Sequence, residues 1–377
     1  MNASGCDKLF PMNEKLPIAG LTAAELADFV ESHGEPRYRG RQIFKGMYQR
    51  RLRSFEEMTD LPKSFREKLD AIASPATVTV ESKYVSEDGT RRFLMKTSDG
   101  LPVEAVFIPT EKRDTICFSS QSGCPLKCDF CLTAKLGLLR NLTPGEIVEQ
   151  IVIVLNDVYG VDTETPHGTN LVAMGAGEPF LNFESLIKAI NVMSEEQGLF
   201  IVPGRITVST AGIVPKIHEF AKLEKRPNLA ISLSAPTDEL RDRLMPINRR
   251  WNIHELMNAA KVLERSLKRG ERFTFEYVLL GGVNDSDDHA NALADLLERY
   301  DLRRVKINLI PHNPAEQLDY FPSDELQVES FKLTLESRGV SAYVRRPRGR
   351  DIYAACGQLA AKEEPNLVKI TSGARAA

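Results

Sequence analysis

No stretch of this chain approaches eighteen uninterrupted apolar residues, and the opening MNASGCDKLFPMNEK contains no apolar core of the kind that directs secretion. A membrane-spanning or secreted protein is thereby set aside, and a cytoplasmic one with no membrane partner is expected. Cysteine is sparse, at six in 377 residues. In a cytosolic chain that number argues for metal or catalytic thiols over a disulfide framework. Excess charge of either sign is also lacking: the formal net charge of −3 does not advertise a nucleic-acid binder. With 42% hydrophobic and 27% charged residues, the composition is that of a globular protein long enough for one large domain and a small appended one. Residues 1–20 and 362–377 show no periodicity and read as a flexible lead-in, with Cys6 incidental, and a tail.

What is present is concentrated in Ser122-Gly123-Cys124-Pro125-Leu126-Lys127-Cys128-Asp129-Phe130-Cys131. Three thiols spaced Cys-x3-Cys-x2-Cys follow a strand-like run and precede a helical pattern. Three close thiolates, Cys124, Cys128 and Cys131, can hold three irons of a cubane [4Fe–4S] cluster and leave the fourth iron open to a ligand. Structural zinc is the competing reading, but it prefers four ligands in paired Cys-x2-Cys units. No fourth Cys or His follows within twenty residues. Three buried thiols are the bland alternative.

The distribution of charge says more than its sum. Arg37, Arg39, Arg41, Lys45, Arg50, Arg51 and Arg53 fall in one stretch without an acid, with Tyr38, Phe44 and Tyr48 interleaved. A second run, Arg345-Arg346-Pro347-Arg348-Gly349-Arg350, lies near the C-terminus. Basic stretches with aromatics suit phosphate contact and base stacking, and equally suit a solvated helix face.

From Leu21 to about residue 74 the pattern is one of short helices: 23–33, with Thr22 as cap, 40–51 and 61–71. Alternating β-branched runs at 77–84, 91–96 and 102–108 follow, joined by Glu87-Asp88-Gly89 and Ser98-Asp99-Gly100, which reads as a β-meander. After the strand 115–120 and the cysteine loop, helix and strand alternate. Helices are expected at 143–159, 183–197, 214–223, 238–268, 287–299 and 324–337. Strands are expected at 170–174, 205–210, 229–233, 273–280 and 305–310. Six βα units demand a parallel sheet and are too few for a closed eight-fold barrel; an open doubly wound sheet is the competitor on pattern alone, with the site at the C-terminal ends of the strands.

Those ends carry small polar groups. Met174-Gly175-Ala176-Gly177-Glu178-Pro179 offers close backbone approach at Gly177 and a hydrogen-bond acceptor for an ammonium at Glu178. Ser209, the run Ser232-Leu233-Ser234, and Asn313 end later strands, where a ribose or carboxylate could be held. Two further thiols stand apart: Cys117 in the strand before the cluster loop, and Cys356 in Ala354-Ala355-Cys356-Gly357-Gln358-Leu359. Either could be a small buried residue. A nucleophilic thiol needs nearby cations, and Arg346, Arg348 and Arg350 are the candidates for Cys356.

The cysteine spacing, with Phe130 just before the third Cys, resembles the signature of the radical S-adenosylmethionine (SAM) enzymes, and the Gly177-Glu178-Pro179 run looks like their motif for the SAM amino group. With the Ala355-Cys356-Gly357-Gln358-Leu359 run added, the chain is similar to the RlmN/Cfr family of RNA methyltransferases. The likeness runs from about Leu21 to Leu359 and includes Gly34-Glu35-Pro36, Glu56-Glu57-Met58-Thr59-Asp60, Val103-Glu104-Ala105-Val106 and Asn308-Leu309-Ile310-Pro311. It implies an α/β fold: a partial (β/α)6 radical SAM barrel over 75–361, led by the short β-meander, behind a small N-terminal helical domain at 21–74 that holds RNA. It implies a [4Fe–4S] cluster, two SAM per turnover, a flavodoxin-type electron donor and a monomer.

The implied substrate is an adenosine of 23S rRNA and, in some members, the adenosine 3′ of the tRNA anticodon. Cys356 would be methylated and then lose a hydrogen from that methyl group to a radical made at the cluster. The methylene carbon would add to the ring, Cys117 would release the product by forming a disulfide with Cys356, and Glu104 would take the ring proton. RlmN-type members act on C2 and Cfr-type members on C8. The N-terminal helices and the Gly-Glu-Pro wording favour C2, while a radical SAM enzyme on another substrate is the alternative. Three departures stand out: Ser234 where the family has His, His312 where it has Trp, and Ala176 where it has Met.

Overall fold

The computed structural model describes residues 15–111, 113–164 and 168–359. The expected tail, Cys6 and most of the lead-in lie outside them. Thr22 caps the helix Ala23–Ser32 through a reciprocal box with Glu25. Helix Tyr38–Phe44 runs on into a π-helical turn at Lys45–Gln49, and helix Lys63–Ile72 follows. The three bury Leu26, Val30, Ile43, Phe44, Phe65 and Leu69 in a common core, each such side chain worth about 1.5–3 kcal/mol over exposure. The lead-in is not loose throughout, as the sequence suggested. Leu16–Pro17 pairs in parallel with Ala73–Ser74, and the Gly20 N–H donates to the buried Tyr48 hydroxyl at 2.7 Å.

The strands Val78–Val85, Arg91–Thr97 and Pro102–Ile108 form the expected meander, and Asp114–Cys117 pairs antiparallel with the last of them. From Asp114–Cys117 onward the sheet is parallel: Thr169–Ala173, Ile206–Thr210, Asn228–Ser232, Phe273–Leu279, Lys306–Pro311 and Ala342–Val344 follow in chain order. One ten-stranded sheet results. In Thr169–Ala173 and Ile206–Thr210 every second residue is buried beneath helices, and the alternate ones, such as Asn170 and Ser209, are half-buried and face the lumen. This is the partial barrel, with one more parallel strand than expected. Ala342–Val344 escaped notice because three residues between a helix and a basic run carry no period.

The helical stretch read as 238–268 is two helices, Asp238–Leu244 and Ile253–Ser266, separated by the turn Pro246–Arg249. Proline at 246 forces Met245 out of the helical region (φ −138°, ψ 83°), and Asn252 then caps the second helix. Helix Pro144–Tyr159 has the expected capping box from Thr143 and Glu146. It is apolar nearly all round because the sheet covers one face and the N-terminal helices the other.

After the last strand, residues 345–359 return across the open side as a strap. The Gly349 N–H donates to the Asp88 carboxylate (3.2 Å), the Ser86 hydroxyl to Asp351 (2.6 Å) and Arg92 to the Ile352 carbonyl (3.3 Å). The strap thereby ties the end of the barrel to the meander at its beginning.

Candidate active site

A small hairpin, Gln121–Gly123 with Leu138–Asn141, carries the cysteine loop at the C-terminal end of the sheet. Gly123 adopts φ +74°, and a Cβ there would lie 1.9 Å from the Gly137 carbonyl oxygen, so the crossing admits only glycine. The Cys124 N–H donates to that carbonyl at 2.9 Å, and the Cys131 N–H to the Cys128 carbonyl at 3.2 Å. Burial first, and then neighbouring thiols, push Cys124 up to about 12 and Cys128 well above an ordinary thiol. Among the described residues no group of three His, Cys, Asp or Glu side chains is gathered about a single ion. The donor set nevertheless fits an iron–sulfur cluster. It comprises three thiols; beside Cys128 lies the buried Arg241 guanidinium, a positive charge that has no ion-pair partner among the described residues and is lowered to about 10 by burial.

Cys124 and Cys131 line a pocket of about 340 Å³ together with Cys117, Cys356, Gly177 and Asn313. Cys117 ends its strand among Val106, Ile352 and Leu359, and burial, then the charge of Cys356, push it up to about 12. Cys356 is reachable from the pocket, and neither thiol is bonded to another. Its thiol is also raised, by burial foremost, while Arg345 pulls it down and Glu276 pushes it up. The cation expected from Arg346, Arg348 and Arg350 is therefore Arg345. Arg350 instead donates to Asn313 Oδ1 (2.8 Å), and Arg348 stands 3.7 Å from Asp88.

The strand-end residues gather as the sequence suggested, but Glu178, Ser209, Ser234 and Asn313 commit their side chains to neighbouring backbone groups. Glu178 is buried, and burial pushes its carboxyl up to about 7 against hydrogen bonds from the Ala211 N–H (2.7 Å) and Phe180 N–H (2.9 Å). Gly177 has φ +109°, and a Cβ would crowd Gln121 and Ser120 within 2.8 Å. The Ser209 hydroxyl donates to the Ala173 carbonyl at 2.8 Å. The Ser232 and Leu233 carbonyls both accept from Arg241, at 3.0 and 3.2 Å. Ser234 sits at φ +53° with its Oγ accepting the Val278 N–H at 3.3 Å. Asn313 donates to the Cys356 carbonyl at 3.1 Å and so fixes the thiol loop.

Glu104 is 2% exposed and forms a buried ion pair with Arg92, with Arg92 Nη2 at 2.5 Å and Nε at 2.7 Å from one carboxylate oxygen. It does not line the thiol pocket.

Of the first basic run, Arg50, Arg51 and Arg53 are structural. Arg51 is buried and donates to Asn156, Gly160 and Thr163, Arg53 pairs with Glu149 at 3.1 Å, and Arg50 meets Asp60 and Asp162. Phe44 and Tyr48 are core residues, whereas Tyr38 is exposed beside Arg39, Arg41 and Lys45. In the second run, Arg345, Arg346 and Arg348 line the pocket.

Sequence reading missed Arg241 and Glu276. Arg241 clamps the carbonyls of Ala211, Ser232 and Leu233 across two strand ends. Glu276 lies in the lumen, accepting from Thr274 and Asn308 at 2.7 Å each and facing Arg345 at 3.6 Å. An Arg on a short helix and a strand Glu carry no local signal for such roles.

Comparison with known proteins agrees with this geometry. Residues 16–74 match the family described as the ribosomal RNA large subunit methyltransferase N-terminal domain, and residues 118–293 match the radical SAM superfamily. The chain is 47% identical over 349 residues to a probable dual-specificity RNA methyltransferase RlmN of Koribacter versatilis, covering 88% of this chain and 97% of that one. It is 44% identical over 351 residues to the dual-specificity RNA methyltransferase RlmN of Geobacter sulfurreducens, covering 93% and 94%. A crystal structure of a radical SAM methyltransferase from Sphaerobacter thermophilus superposes with a TM-score of 0.87 at 40% identity, over 92% of this chain and all of that one. The chain thus belongs to the RlmN family of radical SAM, SAM-dependent RNA methyltransferases, whose cofactors are a [4Fe–4S] cluster and SAM.

Proposed function

We propose that this chain methylates C2 of an adenosine in 23S rRNA, and the adenosine 3′ of the anticodon in tRNA, through an S-methylcysteine at Cys356 and a transient disulfide with Cys117. One observation carries the reading: two cysteines of the cluster loop and both outlying cysteines line a single pocket. The names of the relatives supply the substrate class, RNA.

In this reading Cys124, Cys128 and Cys131 hold the cluster, and Gly177, Glu178, Ser209, Ser232, Leu233, Ser234 and Asn313 surround SAM. Bound there, the cluster and SAM supply an electrophilic methyl group and, on reduction, a radical that abstracts hydrogen. Cys356 carries the methyl carbon, and Arg345 favours its thiolate against the burial that opposes it. Once that carbon is joined to the base, the Cys117 thiolate attacks the Cys356 sulfur. An S–S bond forms as the C–S bond to the product breaks; the C–S electron pair goes to the product carbon, which takes a proton from water to complete the methyl group, and the disulfide requires Cα atoms within roughly 7 Å. Glu104 accepts the ring proton, with Arg92 holding its carboxylate in place beforehand.

The helical unit at 21–74 and the strap arginines hold RNA whose target base is unstacked; the barrel unit spans 75–361. The electron comes from a flavodoxin-type donor, and the chain works as a cytoplasmic monomer. No helix among the described residues is long and apolar enough to cross a membrane.

Purified, cluster-loaded protein given SAM, reductant and either RNA tests the reading, with nucleoside chromatography as readout. Formation of 2-methyladenosine in both RNAs is expected. Exclusive 8-methyladenosine, or no methylation of either RNA under conditions that cleave SAM, would sink it.

A further inference from the structure

At the end of the barrel opposite the thiols, a second cavity of about 420 Å³ is lined by Arg113, Arg205 and Arg272 with Asn170 and Asn228. The three arginines immediately precede the first, third and fifth parallel strands, Asp114–Cys117, Ile206–Thr210 and Phe273–Leu279. Along each strand the lumen-facing set alternates with the helix-covered set. Counting that alternation back one step brings each arginine to the base of the lumen. The asparagines belong to the second and fourth strands, so basic and amide groups surround the cavity from five adjacent strands.

Two features mark this as more than a polar surface. No carboxylate lines the cavity, and among the described residues none of the three arginines has an ion-pair partner. All three arginines are solvent-exposed, so water screens their mutual repulsion, and a bound anion would add charge-assisted hydrogen bonds from several guanidiniums at once. The Arg205 guanidinium lies directly over Gly168, where a Cβ would come 1.7 Å from Nη1 and make the side chain shift.

We propose that this cavity binds a small free phosphate-bearing anion of the pyrophosphate class. Guanidinium forks suit phosphate oxygens bidentately. Because they come from alternate strands, they reach a compact anion in this open cavity from three directions. A nucleic-acid backbone presents instead a line of charges better met by a groove. The anion anchors the entries of five strands and stabilises the fold by mass action. Arg113 also lines the thiol pocket, so the test uses the other two arginines.

Calorimetric titration of the full chain with inorganic pyrophosphate, in phosphate-free buffer of low ionic strength, tests the site. One anion per chain is expected, with a raised melting temperature. Arg205→Met and Arg272→Met, made separately on different strands so that one misfolded variant leaves the other, each weaken binding about tenfold or more. The same two variants should bind a single-stranded RNA oligonucleotide as the wild type does. Absence of saturable binding, or equal binding by both variants, overturns the proposal. A parallel loss of RNA affinity also overturns it, by assigning the arginines to RNA phosphates. No turnover is measured, so failure here leaves the methyltransferase reading untouched.

Discussion

Cys356 is placed where two opposite demands meet. The residue as a whole is exposed to the pocket while its sulfur is packed against protein, and the thiol has still to lose its proton. Burial raises the thiol, and the one cation opposing that burial is Arg345, itself held by Glu276 at 3.6 Å. In the proposed reaction, replacing Cys356 with Ala should abolish methyl transfer, because its sulfur is the assigned carrier of the carbon. Replacing Cys117 with Ala should instead let the carbon reach the base and leave RNA covalently attached to the protein. Denaturing gels of reactions with labelled RNA read both outcomes, and free methylated RNA from Cys117→Ala would remove the disulfide step.

Glu178 gives a second residue-scale test. Its carboxyl is raised from 4.5 to about 7 by burial, so the fold is favoured while it is protonated. That stability is present below pH 4.5 and is lost as pH rises towards 7, by at most about 3 kcal/mol in total. Urea midpoints of the cofactor-free chain should therefore fall between pH 5 and pH 8, and Glu178→Gln should flatten the decline. An unchanged slope in the variant would place the titration elsewhere.

Among the elements, the N-terminal helices and the barrel are joined chiefly through helix Pro144–Tyr159. Arg51, buried at φ +58° with its guanidinium on Asn156, Gly160 and Thr163, is the tightest of these ties. Arg51→Ala should cost about 2–3 kcal/mol by stranding those acceptors. Arg41→Ala, on the exposed side, should leave the urea midpoint unchanged and weaken RNA binding; the reverse pattern would reassign the basic run. The strap at 345–359 is held by Asp88 and Asp351. Asp88→Ala should speed amide exchange across the strap more than in the parallel strands, and uniform exchange would show that the strap is anchored by packing alone.

Much of this was legible beforehand because the signals are local. The capping boxes at Thr22 and Thr143, the meander turns and the Cys-x3-Cys-x2-Cys loop each depend on neighbours within a few residues. What was not legible depends on distant partners. The sequence could not reveal that Tyr48 and Arg51 turn inward while Tyr38 stays out, nor that Arg345 rather than its neighbours faces Cys356. Nor could it show Glu104 already paired with Arg92.

For the whole molecule, the order of strands is the organising fact. A sheet whose parallel strands follow chain order, with a strap returning to its first edge, brings residues 117, 124, 131 and 356 into one pocket although the last lies more than two hundred residues from the others. The proposed route, in which carbon passes through the Cys356 sulfur, uses both outlying thiols of that pocket, whereas a direct transfer from SAM would need neither. The most direct test supplies cluster-loaded protein and RNA with SAM whose methyl group is CD3, and weighs the product nucleoside. The account requires an adenosine methyl that retains two deuteriums, because one hydrogen position is lost while the carbon is on Cys356. A methyl arriving with all three deuteriums would mean direct polar transfer, and the roles given to Cys356 and Cys117 would fall.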